Sequence, residues 1–150
     1  MQPFEFLDPG VLQDGELSLV VAKQIPADPI KGYVPSYEFT MRVDNQDAGR
    51  LNFRAQNTTL LEFVGGHIGY DVKEPFRGHH YAARACKLVV PLARAHGFKE
   101  IVITCNPDNW ASRKTAERAG YEFVEIVKVP EDHEMYQKGE FNKCRYRLAL

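Results

Sequence analysis

No stretch of this 150-residue sequence approaches the run of about 20 apolar residues that a membrane-crossing helix needs. The first residues, Met1-Gln2-Pro3-Phe4-Glu5, have neither the basic nor the apolar region of a secretory signal, so a cytoplasmic chain is expected. An excess of one charge is missing too. The 19 Lys and Arg against 20 Asp and Glu leave a net charge of −1, which gives no electrostatic case for a nucleic-acid or anionic-membrane partner. Cysteine is scarce. Cys86, Cys105 and Cys144 cannot all pair and lack metal-ligand spacing, so buried free thiols in a reducing compartment are expected. Repeats and low-complexity segments are absent as well.

What is present suits one soluble domain spanning residues 1–150, with 44% hydrophobic and 26% charged residues. Residues 1–15, rich in Pro, Gly and Asp, read as a loosely held arm. Alternation of Leu17, Leu19 and Val21 predicts a first strand over Glu16–Gln24. The segment 25–36 holds Pro26, Pro29, Pro35 and Gly32, which exclude a stable helix. Tyr37, Phe39, Met41 and Val43 form one face of a second strand, and Leu51 and Phe53 continue it on a return strand after the Asp44–Asp47 turn. A fourth strand is predicted over Leu60–Val72, with a bulge at Gly65-Gly66.

Past Gly78 the spacing becomes helical and holds to Gly97, with Pro91 on the polar side. Glu100–Cys105 is a nearly continuous apolar run, as in a strand covered on both faces. Strand, helix, strand in this order predicts a right-handed parallel crossover. A helix from Asn109 to Gly120, a strand over Tyr121–Val129, an acidic loop and a last strand over Asn142–Leu148 complete the chain. The fold class expected is therefore α/β (α+β), with a mixed, mostly antiparallel sheet of about seven strands.

The strand-to-helix junction at residues 66–83 is the chemically suggestive stretch. A helix N-terminus offers unpaired backbone N–H groups and a positive dipole end, here with Arg77 beside it, which suits a diphosphate. Arg77-Gly78-His79-His80-Tyr81-Ala82 resembles the acyl-CoA signature of the GNAT-fold N-acetyltransferase family, Arg/Gln-x-x-Gly-x-Gly/Ala. His80 stands where the middle glycine is usual, and Glu74-Pro75 reverses the Pro-Glu that precedes the signature in the family. Asn109-Trp110-Ala111-Ser112 followed by Ala119-Gly120-Tyr121 looks like the second signature of the family. The likeness covers about residues 47–128.

The resemblance implies a single GNAT-like domain whose parallel crossover, from the fourth strand through the third helix to the fifth strand, forms the acetyl-CoA site. It implies backbone contacts from Val72 to the pantetheine arm and from Gly78, His79, His80, Tyr81 and Ala82 to the diphosphate, with Arg77 beside them. It also implies contacts to CoA from Asn109 and Ser112, with Arg113 within reach of a phosphate. An N-cap role for Asn109 and a solvated side chain for Arg113 are equally open. The acceptor would be a small-molecule or peptide amine, its wall shaped differently from that of the family or completed by a second copy in a homodimer.

Direct attack by an amine needs a base, and the resemblance points to the fourth strand near the bulge. His67 stands there, with Glu62 and Asp71 as competitors and a half-exposed structural histidine as the alternative reading. Where many members carry a proton-donating tyrosine this chain has Ala116, as in the ribosomal-protein N-terminal acetyltransferase branch; Ser112, Tyr136 or no residue stands in. No metal is expected, since the neighbours His79 and His80 seldom ligate one ion together. The rival function is a catalytically silent acyl-CoA-binding module.

Overall fold

The computed structural model describes residues 3–150. The first sheet is an antiparallel meander, β1 (Leu12–Asp14), β2 (Leu17–Ile25), β3 (Ser36–Val43), β4 (Gln46–Arg54) and β5 (Ile68–Val72), in sequence order. The alternating apolar positions face inward: Tyr37, Phe39, Met41, Leu51 and Phe53 are all fully buried. Glu38, Thr40, Arg42, Arg50, Asn52 and Arg54 carry the other face, partly or wholly exposed. The apolar side receives α1 (Tyr81–Leu88), which touches β1, β2, β4 and β5. A second antiparallel sheet follows, from β6 (Glu100–Cys105), β7 (Glu122–Lys128) and β8 (Asn142–Ala149), in the order β6-β8-β7. Between them come α2 (Val90–Ala95), α3 (Trp110–Arg118), which meets α1 and the second sheet, and the short α4 (Glu134–Gln137).

The parallel strand–helix–strand crossover expected at the junction is not formed. β5 and β6 lie in different sheets, and both sheets are antiparallel throughout. The reason lies in His67. Its backbone N–H donates to the Val102 carbonyl at 2.7 Å. A continuing ladder would next use the His67 carbonyl, but the Arg54 N–H already holds that group at 2.8 Å. The Val102 N–H, on the near side of that single bond, donates to His67 Nδ1 at 2.9 Å. With the His67 carbonyl turned to β4, the pairing ends after one residue, and the strands separate beyond it.

Three further expectations are corrected. Leu60–Gly66 is not strand: Leu61–Gly65 forms one wide π turn, and the strand begins at Ile68. Gly66, at φ 72°, joins the two, and a Cβ there would stand 3.1 Å from the Thr104 backbone nitrogen. The long helix is broken at Val89 into α1 and α2, because Pro91 has no N–H to continue the ladder. The arm is held: Leu12–Asp14 pairs with β2, Phe6 meets Tyr37 edge-on at 5.1 Å, and the Leu7 N–H donates to the Tyr37 hydroxyl at 2.7 Å. The segment between β2 and β3 contains only one isolated bridge, Asp28 to Tyr33, in keeping with its prolines.

Candidate functional site

The separation of β5 from β6 leaves a row of backbone groups without a strand partner. The Arg54 N–H bonds the His67 carbonyl and the Lys73 N–H bonds the Ala48 carbonyl, with Asn52 opposite Gly69 and Arg50 opposite Asp71 between them. Residues 67, 69, 71 and 73 therefore bond toward β4, and those of alternate parity, Ile68, Tyr70 and Val72, present N–H and C=O groups to the opening. The Val72 carbonyl is met by Arg77 Nε at 2.9 Å, which leaves its N–H.

A cleft of about 550 Å³ lies along this row. Val72, Arg77 and Gly78 line it from the strand end, and His80, Tyr81 and Ala82 from the start of α1. Asn109, Ala111, Ser112 and Thr115 of α3 close the other side, and Tyr70, Asp71 and Phe76 complete the lining. No side chain caps α1; His80, at its N-cap, adopts the left-handed conformation (φ 61°, ψ 28°) that glycine takes at no steric cost. Asn109 caps α3, its Oδ1 accepting from the Ser112 N–H at 3.1 Å.

The His79 ring stacks on Tyr81 at 5.2 Å. Arg113, the sequence candidate for a phosphate, has its side chain elsewhere. Arg113 lies 4.5 Å over the Trp110 ring, with Nε donating to the Tyr146 hydroxyl at 2.9 Å and Nη1 to the Pro107 carbonyl at 3.1 Å. That guanidinium braces α3 against β8 and does not line the cleft.

His67 and Glu62 line a separate cavity of about 660 Å³, with Asn57, Phe98 and Glu100. His67 is 1% exposed. With Nδ1 accepting from Val102, the ring proton sits on Nε2 and is donated to Asn57 Oδ1 at 2.8 Å. Burial, with a smaller contribution from Arg54, lowers its pKa to about 4, against an opposing effect of Glu62. Neither nitrogen offers a free lone pair to an acceptor, so the imidazole serves the fold and the reading of His67 as general base is withdrawn. Tyr136 is also set apart, packed 4.9 Å from Phe141 beside Val127 and Val129. Among the described residues no cluster of three or more His, Cys, Asp or Glu could hold a metal ion.

Tyr70 is the residue that sequence reasoning missed. Period-two spacing puts it on one strand face with Ile68 and Val72 and says no more; its hydroxyl lies 2.8 Å from Ser112 Oγ and donates to the Ser112 carbonyl at 3.2 Å. Burial holds the phenol far above its ordinary pKa. The available signal was a polar-tipped side chain at an inward strand position, which needs a partner wherever it is buried.

A family profile for the acetyltransferase (GNAT) domain matches residues 20–122. No curated protein matches the chain in sequence. Among solved structures, the fold is similar to that of RimL, the ribosomal L7/L12 alpha-N-protein acetyltransferase, in complex with coenzyme A (TM-score 0.67, 17% identity, 93% of this chain and 98% of that one). It is also similar to the microcin C7 self-immunity acetyltransferase MccE in complex with acetyl-CoA and AMP (TM-score 0.60, 20% identity). The match covers 77% of this chain but spans only 61% of MccE. A third likeness is to the Salmonella typhimurium acetyltransferase that modifies the N-terminal serine of ribosomal protein L7/L12 (TM-score 0.59, 22% identity, 81% of this chain and 66% of that one).

Proposed function

Because this chain belongs to the GNAT acetyltransferase family, we propose that it moves an acetyl group from acetyl-CoA to a primary amine of a small molecule or peptide by direct attack. The observation that carries this reading is the row of strand N–H groups leading inward from Arg77 and the α1 N-terminus. A diphosphate suits the backbone amides of Gly78, His79, His80, Tyr81 and Ala82, with the Arg77 cation next to them. An amide-bearing arm can then extend the sheet as an added strand would, bonding at the Val72 N–H. The next N–H of the row, on Tyr70, faces the thioester carbonyl and offers a hydrogen bond to the oxygen where charge develops. Asn109 and Ser112 flank the arm from α3. RimL and MccE, solved with coenzyme A and acetyl-CoA, support the cofactor at the level of the fold.

The attacking nitrogen sheds a proton through water to Asp71, the carboxylate that lines the cleft. Glu62, the competing acceptor, lies on the turn that precedes Gly66 and lines the other cavity, beside His67.

Two measurements test the reading. Titration calorimetry should show acetyl-CoA binding that Arg77→Glu weakens roughly tenfold to a thousandfold. Unchanged affinity in a folded variant would remove the diphosphate assignment. CoA release should be seen with at least one amine from a panel of small amines and N-terminal peptides. Binding without release from any of them would make the chain a silent acyl-CoA-binding module.

A further inference from the structure

The inference deepens the reading above and rests on its diphosphate. Backbone N–H groups at the start of α1 can serve a diphosphate only if no side chain caps them, and none does. The first turn of this helix must then be held from elsewhere. The hold comes from the two-residue turn Gly15-Glu16 that joins β1 to β2. Arg84, one turn into α1, grips the residues on both sides of Gly15. Its Nε donates to Asp14 Oδ2 at 2.7 Å, and its Nη2 donates to the Asp14 carbonyl at 2.7 Å and to Glu16 Oε1. The same guanidinium lies 5.2 Å over the Tyr81 ring, and the Tyr81 hydroxyl donates to Glu16 Oε2 at 3.3 Å. His79 stacks on Tyr81 in turn. Gly15, at φ 58°, leaves room for the grip, since a Cβ there would stand 3.3 Å from Arg84 Nη2. Hairpin turn, Arg84, Tyr81 and His79 thus form one connected array that ends at the residues offering their N–H groups.

We propose that Arg84, through Asp14 and Glu16, is a positioning residue for the cofactor, holding the uncapped first turn of α1 in the arrangement that receives the diphosphate. Arg84 does not line the cleft and acts only through the turn it braces. A single exposed ion pair would hold a helix weakly. Here a planar fork meets two carboxylates and a carbonyl at once and also covers the ring, which fixes its geometry. Ordering the turn in advance spares the ligand that cost on binding.

The test compares acetyl-CoA with acetylpantetheine, which has the same acyl arm and no diphosphate, on the full chain. Arg84→Met keeps the aliphatic stem and loses the fork. It should weaken acetyl-CoA binding about tenfold by titration calorimetry, with kcat at saturating acetyl-CoA and kcat/KM for acetylpantetheine each within about twofold of the parent. Glu16→Gln should shift the same quantities in the same direction by less, and it carries the test if Arg84→Met folds poorly. The double variant should lose no more than Arg84→Met alone, because both residues act through one network. Acetyl-CoA affinity within twofold of the parent in a folded Arg84→Met, or an equal loss with acetylpantetheine, would overturn the inference. Failure of the diphosphate reading itself is distinct: Arg77→Glu would then leave acetyl-CoA binding unchanged.

Discussion

The His67 imidazole is neutral because it is enclosed, and its two nitrogens hold Val102 and Asn57 at once. Its pKa is lowered from 6.5 to about 4 chiefly by burial, so between those values the unfolded chain binds the proton more strongly than the folded one. The stabilisation is complete above about pH 6.5 and fades as pH falls toward 4, by at most about 3 kcal/mol for a shift of this size. Urea denaturation of parent and His67→Gln at pH 7 and pH 4.5 should show a steeper acid loss in the parent; equal losses would assign the acid sensitivity to other groups. His80 is a second local matter. Its left-handed backbone costs an L-residue about 1–2 kcal/mol, part of which glycine returns as unfolded-state entropy. His80→Gly should therefore be more stable by roughly 0.5–1 kcal/mol and bind CoA at least as tightly. A large loss of CoA affinity would make the imidazole itself a ligand contact.

At the scale of elements, β5 is a strand satisfied along one edge only. Amide exchange should be faster at Tyr70 and Val72 than at Gly69 and Asp71, which bond to β4, and CoA should slow the first pair selectively. Equal protection without ligand would mean that the opening is closed in solution. Most of these elements were legible in the sequence. Alternation marked β2, β3, β4 and β8 because one face of each is buried, and the strand-to-helix junction marked the cleft. The failures share a cause. The turn at Leu61–Gly65, the end of the β5–β6 pairing and the break at Val89 depend on which backbone groups find partners at long range. Spacing within a segment carries no record of such partners. Likewise Arg113 could be seen as a cation, but its commitment to Tyr146 is a fact of α3 meeting β8.

For the molecule as a whole, the first residues belong to the core more than their composition suggested. Phe4 stacks on His96 at 5.1 Å, Phe6 meets Tyr37 edge-on, and the Leu7 N–H donates to the Tyr37 hydroxyl. Deleting residues 1–10 should cost about 3 kcal/mol and lower the thermal midpoint by roughly 6–12 °C. An unchanged midpoint would restore the picture of a free arm.

The proline-broken link between β2 and β3 has a consequence for selectivity. An enzyme prefers one acceptor over another only through contacts that the second cannot replace, and water readily replaces contacts on an open surface. The outer face of the first sheet bears partly or wholly exposed side chains such as Glu38, Thr40 and Arg50, and the link adds no helix to wall it. Rates across an amine panel should then rank by nucleophilicity and by the fraction of free base at the assay pH. Close structural analogues should differ by factors of a few, where a shaped pocket that leaves buried polar groups unpaired would separate them by thousands.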